Sequence, residues 1–154
     1  MQKSILLVMC LFMFSCGKEN VINSYKDFEG NIWESDSIVS FEYEIKDSTS
    51  SYLQELNVRH TTDYEFQNLF IFLKEEGRRD TIEIFLSDRS GKWLGRGVGD
   101  IREITIKLNS SKTYQKTGEK ELIVEQAMRY GEKEKIEVLG NIISLGLKIK
   151  KNHD

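Results

Sequence analysis

Val39-Ser40-Phe41-Glu42-Tyr43-Glu44-Ile45-Lys46 is the stretch that decides the fold class. Val39, Phe41, Tyr43 and Ile45 fall on one face, and Ser40, Glu42, Glu44 and Lys46 on the other. A period of two belongs to a strand with one face buried and one in water. A helix would scatter the same apolar side chains around its circumference. The pattern recurs downstream. Gln54 to His60 turns Leu56 and Val58 inward, Thr81 to Leu86 turns Ile82, Ile84 and Leu86, and Arg102 to Leu108 turns Ile104, Ile106 and Leu108. Ile143, Leu145, Leu147 and Ile149 alternate with Ser144, Gly146, Lys148 and Lys150 in a last strand.

Leu69-Phe70-Ile71-Phe72-Leu73 is apolar at every position, which predicts a central strand covered on both faces. Leu122 to Met128 mixes strand spacing with good helix formers, and strand is the favoured reading. A short helical turn is expected between Glu132 and Leu139. Turns are signalled at Asp47-Ser48-Thr49-Ser50-Ser51 and at Glu75-Glu76-Gly77-Arg78. About eight short strands joined by turns describe a single antiparallel β-sandwich, jelly-roll-like in outline. Proline is absent, so the turns fall to Gly, Asn, Asp and Ser.

Ahead of the strands stands a different kind of segment. Lys3 precedes the apolar run Ile5 to Phe14, and Ser15-Cys16 follows it. Basic, apolar, small is the order of a secretory signal peptide, and the run is too short for a permanent membrane span. Met13-Phe14-Ser15-Cys16 looks like a lipobox, the site where bacterial lipoproteins are cut before a cysteine that carries diacylglycerol. The expected layout is therefore a signal peptide over 1–15 and a lipidated Cys16 with a tether and docking segment over 16–35. The sandwich follows over 36–151, and 152–154 is a tail. Val21, Ile22, Tyr25, Phe28, Ile32 and Trp33 predict that the tether soon docks on the domain through a short edge strand.

The full sequence has 22 Lys and Arg against 25 Asp and Glu. Losing Lys3 with the signal makes the mature chain one unit more negative, and no basic face points to nucleic acid. Of the two cysteines, Cys10 leaves with the signal and Cys16 is taken by lipid. No thiol remains for a disulfide, a metal or a nucleophile. His60 and His153 are the only histidines and share no ligand spacing, so no metal or cofactor is expected. His60 reads as a satisfied strand histidine. The carboxylates Glu42, Glu44, Glu75, Glu76, Asp80, Asp88 and Asp100 read mostly as outer-face or turn residues. Asp36-Ser37-Ile38, Asp47-Ser48-Thr49 and Asp80-Thr81-Ile82 fit a loose Asp-Ser/Thr-apolar glycosylation pattern.

One block is glycine-punctuated: Gly91-Lys92-Trp93-Leu94-Gly95-Arg96-Gly97-Val98-Gly99-Asp100. It lacks the spacing and the following helix of a nucleotide-binding loop. Alternate glycines leave a strand face bare for another backbone or a large ring, or else form a groove for a partner. The candidate groove residues are Trp93, Gly95, Gly97, Gly99, Asp100 and Trp33. Trp33 and Trp93 with Tyr25, Tyr43, Tyr52 and Tyr64 are also the material of a sugar-stacking platform, although large aromatics are core material first.

The glycine block is similar to the Gly-x-Trp-Leu-Gly-x-Gly-x-Gly-Asp stretch of the gliding-motility lipoprotein family GldH. The lipobox, Trp33-Glu34-Ser35-Asp36-Ser37, Asn57-Val58-Arg59-His60, Thr62 to Phe70 and Gln126-Ala127-Met128-Arg129 resemble the same family in order and spacing. Glu65 stands where that family usually has proline, and the connection around Gly140-Asn141-Ile142 also differs. The resemblance implies a non-enzymatic outer-membrane lipoprotein associated with gliding motility and type-nine secretion, with envelope proteins as partners. It brings no catalytic residue. A carbohydrate-binding envelope module is the alternative.

Overall fold

The computed structural model describes residues 20–129, 131–132 and 135–152. Residues 1–15, read above as a signal peptide, lie outside them, as do Cys16 and His153. Among the described residues there are ten strands: β1 (Asn20–Asp27), β2 (Ile32–Glu34), β3 (Val39–Ile45), β4 (Tyr52–Thr61), β5 (Asn68–Glu75), β6 (Arg78–Phe85), β7 (Ile101–Lys112), β8 (Gly118–Gln126), β9 (Val138–Gly140) and β10 (Ile142–Lys151). Two four-stranded antiparallel sheets carry the fold, in the orders β1-β10-β4-β7 and β3-β8-β5-β6, and β2 pairs with β9 separately.

Apart from β2 and β9, the strands pair first with last (β1–β10), second with seventh (β3–β8), third with sixth (β4–β7) and fourth with fifth (β5–β6). One long hairpin rolled onto itself produces this order, which is that of a jelly roll. The tip of the hairpin is Glu76-Gly77, with φ of 48° and 76°. Two successive positive φ values make the turn whose twist matches the strands it joins.

Between the sheets the period-two residues meet. Phe41, Ile45, Leu56, Leu69, Ile71, Leu122, Leu145 and Leu147 are at most 1% exposed. Each such aliphatic or aromatic side chain contributes about 1.5–3 kcal/mol on burial. The stretch that decided the fold class is β3, with Val39, Phe41, Tyr43 and Ile45 all buried.

Four local features depart from the sequence reading or refine it. The docking segment becomes an integral edge strand from Asn20 onward, since β1 is registered against β10 from Asn20 to Asp27. Leu122 to Gln126 is strand, within β8. Of the helical turn expected over 132–139, Lys133 and Glu134 lie outside the described residues. Val138 and Leu139 belong instead to β9, because pairing Leu139 with Trp33 buries both side chains. Lastly, β5 is interior to its sheet but is covered on one face only. Leu69, Ile71 and Leu73 meet the opposite sheet, while Phe70 and Phe72 stay half-buried on the outside. A sandwich has no third layer, and what shields Phe72 is the Arg79 guanidinium, 3.8 Å from the ring centre.

Candidate functional site

The glycine-punctuated block links the last strand of one sheet, β6, to an edge of the other, β7, by two short returns. In the first, Ser87 bridges to Trp93 and the Leu94 amide donates to the Leu86 carbonyl at 2.8 Å. Asp88 Oδ1 accepts from the amides of Ser90 (2.8 Å) and Lys92 (3.0 Å), which fixes that turn. In the second, Arg96 and Glu103 exchange backbone hydrogen bonds at 2.9 and 2.7 Å.

Two glycines permit that exchange. A Cβ on Gly97 would lie 1.8 Å from the Ile101 carbonyl oxygen, and one on Gly95 would lie 2.2 Å from that of Glu103. The bare face of the block therefore receives backbone, as one of the two sequence readings expects. Gly99 has φ +64° in open space, so its requirement is conformational. Asp100 is exposed, and its carbonyl accepts from the Thr62 amide at 2.7 Å, hooking the block to the end of β4.

Trp93 is half-buried with its ring 5.0 Å from His60. His60 is fully buried and also lies 5.9 Å from Tyr64. Its Nδ1 stands 2.8 Å from the Thr61 carbonyl and so carries the proton, leaving Nε2 buried without a partner among the described residues. Burial holds this imidazole below its ordinary pKa; the Thr61 carbonyl acts the other way, and Arg102 adds to the lowering. A neutral, enclosed ring of this kind is packing material.

Of the six groove candidates, the structure brings Trp93, Gly95, Gly97, Gly99 and Asp100 into one block beside β7 and the end of β4. Trp33 is elsewhere in the packing. It is 0% exposed, stacks on Phe28 at 5.0 Å and donates from Nε1 to the Ser37 carbonyl at 2.9 Å. With no exposed face, it cannot line an open groove. Among the six aromatics considered for a sugar platform, Tyr43, Tyr52 and Tyr64 are likewise buried and only Tyr25 is exposed.

Sequence reasoning missed the best-built polar group. Glu75 was placed in a hairpin turn, yet it ends β5 on the core face, in line with Leu69, Ile71 and Leu73. Its Oε1 accepts from Tyr43, from Gln54 Nε2 (2.7 Å) and from Tyr114 (3.3 Å), and Lys112 reaches Oε2 at 2.8 Å. Burial pushes the Glu75 carboxyl up, but Lys112, Tyr43 and Gln54 together hold it below the usual carboxylate range. Burial, then Glu75, raise the Tyr43 phenol. The strand parity of Glu75, Tyr43 and Gln54 was the available signal. The cluster ties the two sheets together at one end, with its charges matched. Among the described residues, no group of three or more His, Cys, Asp or Glu is placed to hold a metal ion.

With this geometry in view, comparison with known proteins covers nearly the whole chain. The sequence model of the GldH lipoprotein family matches residues 20–149, from the start of β1 to near the end of β10. A gliding motility lipoprotein GldH homolog of Christiangramia forsetii is 30% identical, covering 96% of this chain and 94% of its own. The gliding motility lipoprotein GldH of Flavobacterium johnsoniae is 32% identical, over 94% of this chain and 93% of its own. The jelly roll described above, with its glycine-punctuated link, is thus that of a lipoprotein, and the chain belongs to the GldH lipoprotein family.

Proposed function

We propose that this lipoprotein is held at the outer membrane by acyl chains on Cys16 and serves gliding motility and the associated type-nine secretion machinery. It acts without catalysis, through contacts with other envelope proteins. The observation that carries this reading is the family match, which runs through every strand of the jelly roll rather than through one motif. The lipobox supports the anchor. More than one acyl chain gives stable attachment where a single chain is marginal. Confinement to a membrane raises the effective concentration of the domain for neighbours in the same membrane, so individual contacts can be weak.

The carbohydrate-binding reading is weakened, because Trp33, Tyr43, Tyr52 and Tyr64 are spent on the core and only Tyr25 and the half-buried Trp93 keep open surface. Crosslinking in intact cells, followed by identification of the captured proteins, tests the proposal. Reproducible capture of envelope components of the motility or secretion apparatus is expected. Capture of none, with the chain abundant and acylated, overturns it.

A further inference from the structure

The two long sides of the sandwich are not alike. On one side β1 packs on β3, and the core-face residues of β3 (Val39, Phe41, Tyr43 and Ile45) are at most 6% exposed. On the other side β6 and β7 are each the last strand of a sheet and are not paired with each other. There Ile82 of β6 and Ile104, Ile106 and Leu108 of β7 point to the core face yet are only half-buried.

The outer edge of β7 already accepts a strand. The chain's own Arg96 pairs with it antiparallel at Glu103. That ladder stops at once, and β7 continues with no strand on its outer side as far as Asn109, beyond which the Ser110 carbonyl accepts from Asn152 Nδ2 and the Ser111 amide donates to Asn109 Oδ1. Exposed edges are normally guarded by proline, short length or dense charge. β7 spans 12 residues, has no proline, keeps register with β4 from Ile101 to Lys107 and shifts only beyond it, and between Ile104 and Asn109 carries a single charge, Lys107.

Along β7 itself the unmatched charge has one sign, with Asp100 exposed just before the strand and Glu55 of β4 the register partner of Lys107. Glu103 is tied to Arg59 at 2.7 Å. Among the described residues Arg96 and Lys107 form no ion pair, and Arg102 donates only to the carbonyls of Gly99 and Ile101. Lys107 is exposed on the outer face, between Thr105 and Asn109.

We infer that the free edge of β7, from Ile104 to Asn109, is a docking edge for an extended strand of an envelope protein with alternating apolar and acidic side chains. The added strand continues the ladder begun by Arg96. Its apolar side chains cover Ile82, Ile104, Ile106 and Leu108, and its carboxylates meet Lys107 and Arg96 on the outer face. Backbone bonds supply attachment and the alternate side chains supply choice, as in other strand additions. This rests on the accessory reading above and names the chemistry of the partner.

The probe is a capped ten-residue peptide alternating Val and Glu, added to the acylated chain in nanodiscs and followed by amide hydrogen exchange. Exchange over 104–109 is expected to slow at least 10-fold at saturation, with β1 and β3 unchanged. The matching Val-Lys peptide should not protect this edge. Lys107→Glu, a change at an exposed position, should weaken the Val-Glu peptide by about 5-fold, the scale of an exposed charge pair reversed. No protection over 104–109, protection at another edge, or equal effects of both peptides overturns the inference. So does a concentration-dependent dimer that protects the same amides without peptide, which would assign the edge to a second copy. If cells yield crosslinked envelope partners while β7 stays unprotected, the edge assignment fails and the accessory reading stands.

Discussion

Gly97→Ala separates a structural from a recognition role for the glycine block, and its cost follows from the geometry. The new methyl would start 1.8 Å from the Ile101 carbonyl oxygen, and real Cβ contacts are essentially never under 3.0 Å. The two backbones must therefore part by more than 1 Å, at the place where Arg96 and Glu103 exchange both hydrogen bonds. The obstacle is backbone, so no rotamer change relieves it. Overpacking costs about 1–3 kcal/mol, and a rigid neighbour places this case at the upper end, about 3 kcal/mol. Gly99→Ala is the internal control. It meets no atom within 4 Å and carries only the strain of φ +64°, about 1–2 kcal/mol, partly offset by a stiffer unfolded chain. Thermal unfolding of the purified acylated chain in detergent, followed by circular dichroism, reads the difference. Gly97→Ala should melt roughly 8–12 °C below the parent and Gly99→Ala about 4 °C below, at the few degrees per kcal/mol typical of this size. Equal melting of Gly97→Ala and the parent would refute the argument and return Gly97 to the recognition reading.

Further expectations concern the buried polar groups and one close glycine. Glu75→Ala removes the acceptor shared by Tyr43, Gln54 and Lys112, leaving Lys112 to Glu76 at 3.4 Å and Tyr43 to Tyr114, and should destabilise by about 1–3 kcal/mol, with Glu75→Gln milder, as denaturant titration would measure. Because the folded-state pKa of Glu75 is lowered, its stabilising contribution is complete above the unfolded value and is lost as pH falls through the folded one. The gap between parent and Glu75→Gln should therefore narrow on acidification below about pH 4.3. His60 behaves differently, since its folded pKa is also lowered but the neutral form is the one the fold accepts. Stability should fall as pH drops below about 6.5, and His60→Phe should flatten that slope in melts from pH 7 to 5.5. Gly146→Ala puts a methyl 2.5 Å from the Tyr25 ring, but that ring is 37% exposed and able to swing away. A loss of no more than about 1 kcal/mol is expected by the same denaturant assay.

How far the sequence goes is clear from individual elements. β3 reads directly because Phe41 and Tyr43 alternate with glutamates, and the same alternation foretells Leu56, Val58, Leu145 and Leu147 as core. The partnering of strands is another matter. β1 pairs with β10 and β3 with β8, contacts so distant along the chain that no local pattern encodes them. Phe72 misleads because an apolar residue under an arginine reads the same as one under a third layer. Glu75 misleads in the opposite sense: its charge argued for a turn, while its parity with Leu73 placed it inside. For the glycine block, spacing shows that something lies close; only the fold identifies it as the backbone of Ile101 and Glu103. Trp33 illustrates the same limit, since a tryptophan before a strand gives no sign of whether its ring is open or enclosed.

In the function proposed above, acylation at Cys16 places a folded, non-catalytic jelly roll among its envelope partners. This is tested most directly by expressing Cys16→Ala in cells lacking the native chain, with fractionation, a folding check and a gliding assay on the same culture. The prediction is a normally folded protein in the soluble envelope fraction and loss of gliding. Full gliding supported by that soluble protein would contradict the claim.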